Sequence, residues 1–384
     1  MRRSFKYLCG TILAVMAFFQ TTVTEAHILS NSEEWSIGRQ ASLKYESINY
    51  CVEDSDLEEI YQNILNSNNL PRKTQSRSFQ DLKLSNEETI NAFELPGGFI
   101  YVTRQMKNFL LDGYDRSALA FVIAHEMSHH INEDYLRKYD KKFTTGFLFD
   151  LLAPKLQGYE ALYASAAEDL ITTLNSRQMN FRTEQQADEK GLDLLIKSDK
   201  YSPGGSAVFF SRLIELEKTL KFTNNFTYPH SKSDVRLKRS LDQIKTISNG
   251  RVEIKDNKFY LDGQLVGKTG LIPLVEGEKM TELEKTYLVA GNIAKAIARG
   301  EWKKENIYSY YSKDFGYCTM EAGNIFIGKL KTHDNENNIA LELYYSLSRY
   351  YKVTELPFIK IIKMIMPSDF NERKKETFIV SSDR

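Results

Sequence analysis

The sequence predicts an α+β fold that is mainly α. Long apolar runs recur with helical character, and Ser117 to Ile131 is the most continuous of them. Strand-type alternation is confined to short stretches, Phe99 to Thr103 and the segment from Arg251 to Val266. The 384 residues are 42% hydrophobic and 27% charged, an ordinary globular composition with length for one or two cored domains.

Taken in order, residues 1–26 read as a secretory signal. Arg2, Arg3 and Lys6 form its basic start, Leu8 to Phe19 its apolar stretch, and Thr24-Glu25-Ala26 a small-residue cleavage site before His27. The apolar stretch falls well short of the ~20 residues that span a bilayer. An uncleaved anchor is the other reading of this segment. Residues 33–66 then form helices, the second with apolar positions at Leu57, Ile60, Tyr61, Ile64 and Leu65. Asn66 to Pro71 breaks them, and residues 78–84 suit a short strand.

Pro96-Gly97-Gly98 makes a tight turn into a strand over 99–103. That strand ends just before the apolar helix 117–131. Lying along a cleft there, it could pair with an extended peptide, or it could be a hairpin strand that only packs. Residues 140–180 form an apolar, helix-rich insertion interrupted by Asp150, Lys155, Glu160, Glu168 and Asp169. Those charges argue against a membrane-surface segment and for helices packed beside the cleft, a candidate lid. Helices over 181–198 and 207–221 follow, joined by Ser202-Pro203-Gly204-Gly205-Ser206.

The character changes after residue 248, which divides the chain into a 27–248 domain and a 249–384 region. Arg251 to Val266 reads as a β-hairpin with turn candidates at Asp256-Asn257 and Asp262-Gly263. Ala290-Gly291-Asn292-Ile293 recurs 32 residues on as Ala322-Gly323-Asn324-Ile325, and Ile307 and Ile339 keep the same offset. This period suggests two degenerate helical hairpins of tetratricopeptide (TPR) type, a possible seat for a protein partner. Coincidence between two helical hairpins is the other reading.

The helix 117–131 carries the pattern His125-Glu126-Met127-Ser128-His129. Positions i and i+4 lie about 40° apart on a helix, so both imidazoles can grip one Zn²⁺ while Glu126 projects beside them toward the water such an ion activates. A buried helix has no packing reason to place two His and a Glu together. Zinc needs a third protein ligand. A histidine-and-glycine extension of the motif is excluded, because Asn132 and Tyr135 occupy its positions. A glutamate from another helix is the alternative. Glu184, 55 residues after His129, opens Glu184-Gln185-Gln186-Ala187-Asp188. Asp188, one turn on, can orient a zinc-bound imidazole, and the small Ala187 would let two helices approach closely.

These ordered motifs, with Asn91-Ala92-Phe93-Glu94-Leu95-Pro96-Gly97-Gly98 before them and His230 and Arg236 after, resemble the prenyl-protease/HtpX/Oma-type zinc metallopeptidases over about residues 33–240. The resemblance implies a zincin-like helical catalytic domain with a small sheet whose edge strand binds substrate. It implies one Zn²⁺ per chain, held by His125, His129 and Glu184, with Glu126 catalytic. Substrate binding falls to Asn91 and to Gly98, Phe99, Ile100, Tyr101 and Val102. His230 either stabilises the oxyanion or caps the zinc as a fourth ligand; here Pro229 precedes it, where the family has proline following. Asp188 and Arg236 support the site. The implied activity is that of an exported, periplasmic, ATP-independent endopeptidase acting on unfolded or misassembled envelope proteins. The competing reading is a latent chaperone-like or adaptor protein whose zinc site is capped by His230.

Lys plus Arg and Asp plus Glu both total 51, so no global basic field points to nucleic acid. Peripheral membrane association stays open. Cys51 and Cys318 could form one long-range disulfide or stand as two thiols, and neither has metal-ligand spacing. His130 points about 100° away from His129 on a helix and is read as a non-ligand. His27 and His333 are read as solvated.

Overall fold

Helix caps and glycine turns set the frame. The computed structural model describes residues 30–70, 79–111, 115–138, 167, 181–221, 233–268, 280–303, 306–312 and 317–331. The leader, His230, His333 and, apart from Ala167, the insertion 140–180 lie outside them. Helix α1 (Asn31–Ile48) begins with a capping box between Ser30 and Glu33. In α2 (Ser55–Ser67) the Asp54 carboxylate accepts from Asp56 N–H and Leu57 N–H. The helix buries Leu57, Ile60, Tyr61, Ile64 and Leu65, the stripe expected from their spacing.

A four-stranded sheet follows, in the order β1 (Cys51–Val52), β2 (Leu82–Ser85), β4 (Phe99–Thr103), β3 (Ala92–Leu95). Strand β2 runs parallel to β4, and β3 antiparallel. The turn between β3 and β4 needs left-handed backbone at Gly97 (φ 82°) and Gly98 (φ 79°), which glycine adopts without steric cost. Thr103 ends β4, and its Oγ1 caps α3 (Arg104–Leu110). Cys51 is half-buried and carries a free thiol.

Helix α4 (Ser117–Ile131) is buried from Ser117 to His130. Helix α5 (Phe181–Lys197) crosses it, and α6 (Gly205–Lys221) and α7 (Ser233–Ile247) pack on the same core. No helix among the described residues is long and apolar enough to cross a membrane.

Both expected turns after residue 248 form, at Asp256-Asn257 and Asp262-Gly263, all with positive φ. Two turns make a three-stranded meander rather than one hairpin: β5 (Val252–Lys255), β6 (Lys258–Leu261) and β7 (Gln264–Lys268). Helix α8 (Glu282–Ala298) follows, capped by a Thr281–Glu284 box.

Among the described residues the helical repeat is not formed. Ala290 to Ile293 lies inside α8, whereas Ala322 to Ile325 is the reversal between β9 (Tyr317–Ala322) and β10 (Ile325–Lys331), with Gly323 at φ 58°. Ile307 opens strand β8 (Ile307–Ser312), not a Tyr-rich helix. Tyr308, Tyr310 and Tyr311 are residues of high strand propensity, and tertiary context overrides local likeness. Ile339 lies outside the described residues.

Nor is residue 248 a core boundary. Phe121 of α4, Phe210 of α6, Val252 and Leu261 of the meander, and Tyr287, Ala290 and Ile293 of α8 share one hydrophobic cluster. A second cluster joins Ile37, Ala41 and Tyr45 of α1 to Phe93, Leu95, Phe99 and Tyr101, with Leu136 and Ala167.

Candidate metal centre

Helix α4 places His125 and His129 one turn apart, and α5 brings Glu184 across to them. The contact is close because Ala187 is fully buried and Gly191 lies against the His125 backbone. The two Nε2 atoms face each other at 3.2 Å. Glu184 Oε2 is 3.6 Å from His125 Nε2, and its Oε1 is 3.8 Å from His129 Nε2. Ligands about 2.0–2.1 Å from a tetrahedral zinc lie about 3.3 Å from one another, so this donor set fits a zinc ion with little adjustment. Among the described residues, these three form the group that could hold a metal.

A carboxylate also faces the outer nitrogen of His125, as a close ion pair without hydrogen-bond alignment. Asp188 Oδ1 lies 3.0 Å from His125 Nδ1. Arg236 donates to both Asp188 oxygens, at 2.8 and 2.6 Å, and its guanidinium lies 4.6 Å over the Phe210 ring and 3.4 Å from Glu184 Oε2. Burial works against the Asp188 carboxylate, but Arg236 and His125 hold it below its ordinary range. Burial likewise opposes a charged His125, yet Asp188 and Glu184 push that imidazole up to about 10. His129 is also raised, against burial, by Asp134, Glu184 and Glu126. The same carboxylate field favours a divalent cation in place of the proton.

The five expected residues His125, His129, Glu184, Asp188 and Arg236 thus converge, and Glu126 stands beside them at 9% exposure. Asp134 was not foreseen. It follows the end of α4, and no helical spacing links it to the motif, yet its Oδ2 lies 2.8 Å from His129 Nδ1. His130 is set apart from the metal group, as expected. It is buried, with Nδ1 3.7 Å from Glu34 Oε1 and 3.5 Å from Glu94 Oε1, and its ring edges onto Phe79. Burial, reinforced by Glu34, pushes the Glu94 carboxyl well above the usual carboxylate range.

The strand expected at the edge of the sheet is central. Both hydrogen-bonding edges of β4 are occupied: Ile100 N–H donates to Asp81 on the β2 side, and β3 pairs along the other edge. Phe99 and Tyr101 point into the α1 cluster, where Tyr101 Oη donates to Glu46 at 2.6 Å; Ile100 and Val102 enter the main core. Gly98 belongs to the turn. The sheet's edge near α4 is β3 instead. Thr103 N–H donates to Asn91 O, so by antiparallel alternation Phe93 and Leu95 bond β4, and Ala92 and Glu94 direct their backbone groups outward. Asn91 is buried beside this edge, and its Oδ1 has no hydrogen-bond partner among the described residues.

The family profile described as Peptidase family M48 matches residues 52–244, just over half of the chain. The chain belongs to peptidase family M48. No curated protein matches it. Membership makes the M48 chain a metallopeptidase, a hydrolase of polypeptide substrates whose family metal is zinc, and His125, His129 and Glu184 are a group able to bind that ion. The matched span ends before the meander and α8, although both share its core.

Proposed function

We propose that this M48 peptidase is an exported, ATP-independent zinc endopeptidase that cleaves unfolded or misassembled envelope proteins. The observation that carries the catalytic part is the convergence of two buried imidazoles and one buried carboxylate, with Glu126 next to the first of them in sequence. The leader-like N-terminus supports export.

His125, His129 and Glu184 hold the ion, and Asp188, fixed by Arg236, orients His125. When bound, zinc supplies Lewis acidity that polarises a peptide carbonyl and acidifies water. Glu126 takes one proton from the attacking water as the oxygen bonds the carbonyl carbon. It then delivers that proton to the departing amine nitrogen as the C–N bond breaks. An extended peptide pairs with the outward backbone groups of Ala92 and Glu94 on β3, so selection is for unfolded chain rather than for one side chain. The β3 residues are themselves buried, so docking requires room to be made along that edge. His230 is assigned to the developing oxyanion.

The burial of the three ligands gives the alternative its support: a latent site capped by His230, in a protein that acts by binding. Zinc analysis with casein digestion separates the two. Glu126→Gln is expected to keep one zinc per chain and lose about 10²–10⁴-fold in hydrolysis. Substantial cleavage by the zinc-loaded variant would remove Glu126 from its role. His230→Ala lowers proteolysis if the imidazole is catalytic and raises it if the imidazole is a cap.

A further inference from the structure

Asp134 is buried where the chain leaves the metal helix. Helix α4 ends at Ile131, and Glu133 takes a left-handed conformation at φ 59°. That reversal returns the next residue under the last turn, and Asp134 Oδ2 comes to lie 2.8 Å from His129 Nδ1, with both side chains about 95% buried (5% and 4% exposed).

We infer that Asp134 is a positioning residue that fixes the tautomer and the direction of His129 as a zinc ligand. The inference rests on the metallopeptidase reading and extends it. An ionised carboxylate only accepts, so the proton in this bond belongs to Nδ1. The lone pair of Nε2 is then directed inward, toward His125 Nε2 at 3.2 Å and Glu184 Oε1 at 3.8 Å. The two ligand histidines are therefore held differently. Asp188 shares its charge between His125 and Arg236. Among the described residues, Asp134 forms its ion pair with His129 alone. Its full charge raises the basicity of that ligand as well as aiming it.

The test is zinc affinity of the full chain, read by competition with a chelating dye, with folding checked by circular dichroism. Asp134→Ala is expected to weaken zinc binding about 10–100-fold. Asp134→Asn can still accept from Nδ1–H but lacks the charge, so its affinity should fall between wild type and Asp134→Ala. Wild-type affinity in folded Asp134→Ala protein overturns the inference while leaving the metallopeptidase reading intact. A wild-type chain that binds no zinc overturns both. If neither variant folds, zinc-loaded wild-type protein carrying nitrogen-15 histidine decides: a proton on His129 Nδ1 supports the assignment, and a bare Nδ1 overturns it.

Discussion

Lys295 shows what one side chain can ask of this interior. It lies on α8 at 1% exposure, and its Nζ donates to Tyr201 O at 2.8 Å. Burial, with Arg299 close by, pushes the amine down to about 7, and Asp199 only partly opposes this. An unfolded chain holds the proton up to ~10.4. Between these values the unfolded state binds more protons, so the stability contributed at this site rises with pH, and the penalty is full below about 7. Lys295→Met should therefore be more stable than the parent at pH 6.5, by on the order of 2–4 kcal/mol after the lost hydrogen bond is counted. The gap should close toward pH 10. Urea melts of both proteins across that range would measure it, and a gap that does not vary with pH would contradict the account.

The pairing of α4 with α5 is the element-scale event on which the metal group depends. Glu184 reaches the histidines only because α5 runs unusually near α4. A Cβ built on Gly191 would lie 3.1 Å from His125 N and 3.2 Å from His125 Cα, both backbone atoms that cannot swing aside. Gly191→Ala gains up to about 1 kcal/mol of helix propensity. It also forces the helices apart by a few tenths of an ångström at the first ligand. Zinc affinity is expected to fall severalfold while the melting temperature of metal-free protein changes little. Undiminished affinity in dye competition would show that the helix spacing has slack to spare. The sheet carries a related lesson. Five consecutive β-type residues, Phe99 to Thr103, read equally well as a central or an edge strand, and β2, from the other side of β3 in sequence, makes them central.

At the scale of the molecule, the region beyond residue 248 completes the catalytic core. Helix α8 sits so close to the 202–205 loop that a Cβ on Gly204 would lie 2.0 Å from Tyr287 O, and one on Gly291 would lie 2.2 Å from Gly204 N. On the other side, a Cβ on Gly38 of α1 would fall 1.6 Å from Pro96 O at the β3–β4 turn. Neither α1 nor α8 lies in the span 52–244 that identifies the family, yet both close its core. A fragment of residues 27–248 leaves α6 and the 202–205 loop without the α8 face that packs on them. It is expected to lack a cooperative thermal transition, and a sharp melt by calorimetry would show that the catalytic part folds alone.

Local chemistry made much of this protein legible in one dimension. His125, Glu126 and His129 are set by the pitch of a single helix. Glu184 and Asp188 are set by the pitch of another, and the turns at Gly97-Gly98, Asp256-Asn257 and Asp262-Gly263 by backbone preference alone. What needed three dimensions were the relations between segments with no common period. Asp134 meets His129 through one left-handed residue, β3 rather than β4 is the edge, and one tetrapeptide is helix at 290 and turn at 322. Pitch and turn preference act within a few residues, whereas strand order and core closure follow from which apolar faces are left to be covered, and only the folded chain decides that.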